Sequence, residues 1–271
     1  MSAEWFDNGL IVCTWPMKKL PRRTGSRRGK LSAPEDRRRH RFSRDLSVLY
    51  EDDAMVVLDK PAGLLAVPIK GSDTPSALSL LVAKLERKKQ RALVVHRIDR
   101  FASGALVFAK TGSDRHALVR QFLAHTPVRR YLAVVRGHLD VETGTLVHYF
   151  RREGMSQQMR TARDPKAARA ELRYSVERRF ADASLVRVEL VTGLQNQIRA
   201  QFSAMGHPVI GDRKYHPAES SEPLIARVAL HAAYLQFVHP RSGESVSINC
   251  KLPPDFEHLV RELSRSSRAR R

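Results

Sequence analysis

The feature that most constrains the fold is a pair of short apolar runs bracketing a charged pentapeptide. Ala92-Leu93-Val94-Val95 leads into His96-Arg97-Ile98-Asp99-Arg100, and Ala105-Leu106-Val107-Phe108-Ala109 leads out of it after Ser103-Gly104. Such runs, rich in β-branched residues and bounded by turn formers, read as buried strands. The pattern therefore predicts a tight connection between two core strands, with Asp99 upon it. A rigid scaffold under a loop can hold a carboxylate where chemistry needs it. Arginines on both sides would keep it ionised and supply phosphate donors. Asp is also a common turn residue, so alone the position argues more for a turn cap than for catalysis.

Around this core, Val48-Leu49-Tyr50, a Glu51-Asp52-Asp53 turn and residues 55–60 read as a hairpin, stopped by Pro61-Ala62-Gly63. Apolar residues at helical spacing predict helices over 76–89 (Leu78, Leu81, Val82, Leu85), 114–125 (Ala117, Leu118, Phe122, Leu123) and 195–205 (Ile198, Phe202, Met205), with a last one over 255–263. Strands are expected over 130–137, 171–177, 184–191, 230–238 and 245–249, and strands with a basic loop within 144–163. Strands outnumber helices without alternating with them. The fold class that follows is α+β, a mostly antiparallel or mixed central sheet with flanking helices.

Charge narrows the partner. The chain has 271 residues and a formal net charge of +20. Residues 1–45 carry 12 basic against 5 acidic side chains, and residues 261–271 carry 5 against 1. We expect an N-terminal extension with a basic arm over 1–45, a folded domain over 46–260 and a basic tail over 261–271. A polyanion is the natural partner of such a surface, and nucleic acid is favoured over membrane. No apolar stretch approaches the ~20 residues of a membrane-crossing helix. Cys13 and Cys250 show no pairing pattern, and no export signal is read, so a reducing, cytoplasmic setting is expected.

Several chemistries have no motif here. There is no phosphate loop, dinucleotide fingerprint, His-Glu-x-x-His unit or nucleophile elbow. His207, His216 and His231 are more simply ordinary core or surface residues than a metal site. A glycoside-cleaving hydrolase would want two facing carboxylates, and no second one suggests itself.

The motifs together resemble the RluA family of pseudouridine synthases over roughly residues 46–254. Tyr50-Glu51-Asp52-Asp53 and Val57-Leu58-Asp59-Lys60-Pro61-Ala62-Gly63 resemble its opening strands, and His96-Arg97-Ile98-Asp99-Arg100 with Ser103-Gly104 its catalytic motif. Tyr131 lies in a matching strand. Thr192-Gly193, Gln197-Ile198-Arg199, Gly206-His207-Pro208, Gly211-Asp212, Leu230-His231-Ala232 and His239-Pro240 follow in the family's order. The resemblance implies an RNA isomerase that needs no cofactor and no metal. Asp99, Tyr131 and Arg199 would be catalytic, and His96, Arg97, Arg100 and Gln197 would contact RNA. Ribosomal or transfer RNA would be the partner, and the enzyme a monomer that flips its target base. Ala102 departs from the usual Thr, and Leu194, Gln195 and Asn196 from the usual Arg, Thr and His. That second departure keeps open a non-catalytic RNA-binding or ribosome-assembly protein on the same fold.

Overall fold

The computed structural model describes residues 45–154, 156–216 and 224–269. The basic arm expected over 1–45 falls, apart from Asp45, outside these. In chain order the elements are β1 (Ser47–Glu51), β2 (Met55–Lys60), α1 (Ala77–Glu86), β3 (Leu93–Val94), β4 (Ser103–Ala109), α2 (Gly112–Leu123), β5 (Val128–Arg136), β6 (Thr143–Glu153), β7 (Ser156–Met159), β8 (Ala168–Arg179), β9 (Ala183–Leu190), α3 (Gln197–Ala204), β10 (Leu230–Val238), β11 (Ser245–Asn249) and α4 (Pro254–Ala269). The strands form one sheet in the order β1-β2-β4-β10-β5-β9-β8-β6-β7, with β3 on β4 and β11 on β10. Every pairing is antiparallel except β4 with β10. The architecture is the expected α+β with a mixed sheet.

The continuous apolar runs of β2 and β4 are explained by burial on both faces. Met55 and Val57 with Ala105, Val107 and Ala109 turn to one side, where Leu118 of α2 packs. Val56 and Leu58 with Leu106 and Phe108 turn to the other, against Ala77, Leu81 and Leu85 of α1. Ser76 and Ser79 close a capping box at the start of α1, satisfying N–H groups that the first turn leaves open. A third core, under β5, β8 and β9, takes Ile198 and Phe202 of α3 and Phe256, Leu259 and Leu263 of α4. Leu263 is buried in this core and α4 runs on to Ala269, so most of the expected tail over 261–271 is helical.

The connection carrying Asp99 is longer than expected. The flank of β4 is shared, with β10 pairing at Ser103 and Gly104 and β3 only at Phe108 and Ala109. Residues 95–102 therefore form a loop across the gap, pinned by buried Ile98 and Ala102. Gly104 permits the close β4–β10 approach, because a Cβ there would lie 2.4 Å from the Ala232 carbonyl oxygen, at a φ of +114°.

Candidate active site

Asp99 opens a four-residue turn in which the Ala102 N–H donates to the Asp99 carbonyl at 3.2 Å. Arg199, in the first turn of α3, reaches this loop across 100 residues of sequence. Its Nη1 donates to Asp99 Oδ2 at 3.3 Å. The rest of the guanidinium is gripped from behind: Nε and Nη2 donate to the two oxygens of Asp212 at 2.7 and 2.8 Å. Nη1 also donates to Asn196 Oδ1 at 2.6 Å. The fork of Arg199 is thereby fixed on three sides, an arrangement a lysine could not reproduce.

The electrostatics follow from burial. Asp212 is 1% exposed. Burial alone would raise its carboxyl, but the bonds and charge of Arg199, with the N–H groups of Lys214 and Tyr215, hold it below the usual carboxylate range. Burial likewise opposes the charge of Arg199, and Asp212 and Asp99 outweigh it, raising the guanidinium further above its ordinary value. Asp212 thus cannot serve as an acid or base, since both its oxygens are taken. The second carboxylate that a hydrolase would need is here a structural counter-ion.

Tyr131, on β5, faces the same neighbourhood. It and Gly104 both pair with Ala232 of the intervening β10, so their backbones lie about 10 Å apart at one level of the sheet. Its phenol is pushed up to about 12 by burial and by the Asp99 charge, against the opposing pull of Arg129. At neutral pH its hydroxyl is therefore a donor, the phenolate being only about one part in 10⁵. The Asp99 charge also acts on Lys60, Lys214 and Tyr215. The three expected catalytic groups therefore share one electrostatic site, Asp99 in direct contact with Arg199 and coupled by charge to Tyr131.

The expected RNA contacts divide. Arg97 and Arg100 are exposed. His96 belongs to the protein instead. Its Nε2 accepts the Val107 N–H at 3.2 Å, filling the gap in the β4 ladder, and its ring stacks on Phe122 at 4.3 Å. Burial, with a smaller push from Arg129, drives it down to about 3, so it is neutral and carries no charge for phosphate. Gln197 is also structural. At 2% exposure it accepts from the Leu194 N–H and the Thr192 hydroxyl, both at 2.9 Å, and donates to the Glu171 carbonyl at 3.1 Å. Its bonds tie the loop before α3 to β8.

Four residues of the site were missed as such. Asp212 is one, carried only within the Gly211-Asp212 pair. Asn196 is another: it begins α3 in the left-handed region, φ 57°, and its side chain supports Arg199 rather than capping the helix. Asn tolerates that conformation better than most residues, so the substituted segment 194–196 serves the site. Lys60 is fully buried and donates to the carbonyls of Pro61, Leu64 and Arg100 at 2.9, 2.8 and 3.2 Å. It thereby joins the hairpin end to the Asp99 loop, although burial pushes it down to about 7 despite the Asp99 charge. Tyr215 places its ring 5.4 Å from the Arg199 guanidinium and accepts the Gln157 N–H at 2.9 Å. Ala102 is 1% exposed within the apolar core, a setting that calls for no hydroxyl.

The structure thus brings a carboxylate on a pinned loop, a buried guanidinium and a buried phenol into one electrostatic neighbourhood. Residues 54–204 match the RNA pseudouridylate synthase family, and the chain belongs to that family. Within it, the chain falls in the RluA group. It is 33% identical over 235 residues to the ribosomal large subunit pseudouridine synthase D of Zymomonas mobilis, covering 82% of this chain and 74% of that protein. It is 35% identical over 228 residues to the uncharacterized RNA pseudouridine synthase YlyB of Bacillus subtilis, covering 82% of this chain and 74% of that protein. The ribosomal large subunit pseudouridine synthase C of Vibrio cholerae is 33% identical over 221 residues, covering 80% and 69%. The human RNA pseudouridylate synthase domain containing 4 shares the fold with a TM-score of 0.66 at 23% identity, over 80% of this chain and 92% of that one. Among the described residues, no helix is long and apolar enough to cross a membrane.

Proposed function

We propose that this pseudouridine synthase isomerises one or more specific uridines of ribosomal RNA, with Asp99 as its essential carboxylate. The observation that carries the reading is the Arg199 guanidinium, locked by buried Asp212 and presenting its remaining edge to Asp99 at 3.3 Å. Ribosomal RNA is favoured over transfer RNA because relatives 33% identical over most of this chain are named for the ribosomal large subunit.

The reaction moves the ribosyl C1′ from N1 to C5 of one uracil. The C1′–N1 bond breaks, the C1′–C5 bond forms, the C5 proton leaves and N1 gains one. No atom is lost and no cofactor is needed. The target must first leave its stack, at a cost of a few kcal/mol that is smallest in a loop. Exposed Arg97 and Arg100 flank Asp99 and are suited to hold the opened backbone. Whether Asp99 acts on the ribose carbon or on the base, it must be ionised in a closed site, and Arg199 provides the matching charge. Tyr131 lies against the uracil and donates from its hydroxyl. The basic arm over 1–45 adds phosphate contacts, and the enzyme works as a cytoplasmic monomer.

The test is a map of pseudouridines in cellular RNA with and without the gene, restored with the wild type or with Asp99→Asn. Wild type returns the lost ribosomal sites and the variant returns none. Restoration of every site by Asp99→Asn overturns the assignment of Asp99; losses confined to transfer RNA overturn the assignment of substrate.

A further inference from the structure

We propose that Arg129, seated against Gly193, forms a subsite for one phosphodiester of the RNA strand beside the target uridine. The proposal rests on the reading above, since it takes Asp99 and Tyr131 to mark the reacting base. Among the described residues three arginines are buried: Arg129 and Arg199, each 8% exposed, and Arg227 at 2%. Arg199 is gripped by Asp212 and Arg227 by Asp255, each through two nitrogens at 2.7 to 2.9 Å. Arg129 has no such carboxylate among the described residues. Its Nη2 alone is engaged, donating to the carbonyls of Leu190, Val191 and Thr192 at 3.4, 3.2 and 3.3 Å. A buried cation without a counter-ion is costly to keep, and holding a loop by its carbonyls does not call for one.

The charge sits beside the reacting groups. Arg129 precedes Tyr131 by two residues on β5, so both side chains leave the same face of the strand, about 7 Å apart along it. Its charge acts on the Tyr131 phenol and on His96, three residues before Asp99. Burial pushes the guanidinium below its ordinary value, against a smaller pull from Tyr131. Nε is sealed from solvent and has no acceptor among the described residues; Nη1 has none either but is not sealed. Gly193 makes room for that edge, since a Cβ there would stand 2.5 Å from Nη1. The guanidinium is thus fixed through one nitrogen before any ligand arrives, which lowers the ordering cost of binding. An anion at Nη1 would complete the pairing that the other two buried arginines already have. A phosphate oxygen suits it, because a guanidinium edge takes phosphate through charge-assisted bonds.

The test measures the affinity of the full chain for a single-stranded oligouridine across a range of salt, and for the same oligomer on an uncharged methylphosphonate backbone. Arg129→Gln should weaken binding to the charged oligomer by about 10- to 150-fold, the range of one bond to a charged group. It should also flatten the plot of log affinity against log salt by about 0.7, the share of one phosphate on a single strand. On the uncharged backbone wild type and variant should bind alike. Gly193→Ala keeps the charge but drives its methyl against Nη1, so its slope should fall in the same direction. Thermal unfolding of each variant checks that the chain is folded, and Gly193→Ala decides the matter if Arg129→Gln is not. A wild-type slope in the folded variants, or an equal loss on both backbones, leaves Arg129 a fastener of the 190–192 carbonyls and overturns the subsite. The two readings fail separately: an inactive wild type whose salt slope still depends on Arg129 sinks the isomerase assignment alone, and an active enzyme whose slope ignores Arg129 sinks the subsite alone.

Discussion

Replacing Asp212 by Asn tests how Arg199 is held. The Asp212 side chain is fully buried and accepts four bonds, from Arg199 Nε and Nη2 at 2.7 and 2.8 Å and from the Lys214 and Tyr215 N–H groups at 2.9 and 3.1 Å. Asn keeps the shape and one acceptor oxygen. Its least unfavourable placement leaves that oxygen toward Nη2 and the two backbone donors, and sets its own NH₂ against Arg199 Nε, donor against donor. Breaking a buried ion pair from one side costs ~3–5 kcal/mol. Asp99 remains as a partial counter-ion, so we expect ~3 kcal/mol, measured by urea unfolding at pH 7. The turnover of the enzyme should fall by about 10- to 150-fold, as one charge-assisted bond of ~1.5–3 kcal/mol no longer orients the guanidinium. The sign with pH is fixed by the lowered Asp212 carboxyl. Its stabilisation is complete above the ordinary carboxylate value of about 4 and is lost as pH falls through the folded value. The gap between wild type and variant should therefore be constant from neutral pH to about 5 and shrink in stronger acid. A variant within ~0.5 kcal/mol of wild type at pH 7, or a gap unchanged in acid, would refute the reasoning.

Three further outcomes are expected. Tyr131→Phe should abolish most turnover and also alter alkaline stability: with a phenol raised to about 12, wild type gains nothing from it below pH 10 and loses ~1.4 kcal/mol relative to the variant by pH 11, read by urea unfolding at both values. Gly104→Ala should cost about 3 kcal/mol or more, because its Cβ meets the Ala232 carbonyl at 2.4 Å at a φ of +114°; a melting temperature equal to wild type contradicts the close β4–β10 contact. Asn196→Gly keeps the left-handed backbone but removes the 2.6 Å bond to Arg199, so turnover should drop about as far as in Asn196→Ala; full activity in the glycine variant would leave Asn196 a purely conformational role.

The apolar runs disclosed the strands because β2 and β4 are buried on both faces, and β10 and β11 begin and end where their patterns do. The pairing of β4 with two partners along one flank was invisible, since register depends on which distant strand arrives. That is why the tight turn became a loop, and why His96 completes a ladder, a bond the sequence did not announce. Asp99, Tyr131 and Arg199 were legible only through the order of several motifs; none of the three stands out in its own segment. The loop-fastening bonds of Gln197 were not legible, because an amide two residues before Arg199 in a motif reads equally well as a ligand contact or a loop fastener. Asp212 and Asn196 remained hidden because their importance lies in three-dimensional support for Arg199, which no spacing in the chain expresses.

The central claim is that Asp99, held by Arg199, drives exchange of the glycosidic bond from nitrogen to carbon within one uridine. The most direct measurement incubates the purified full chain with ribosomal RNA tritiated at uracil C5 and follows tritium release beside free uracil. Wild type should release tritium in step with new pseudouridine and without free base, and folded Asp99→Asn should release none. Tritium release undiminished in Asp99→Asn, or free uracil in place of pseudouridine, would contradict the account.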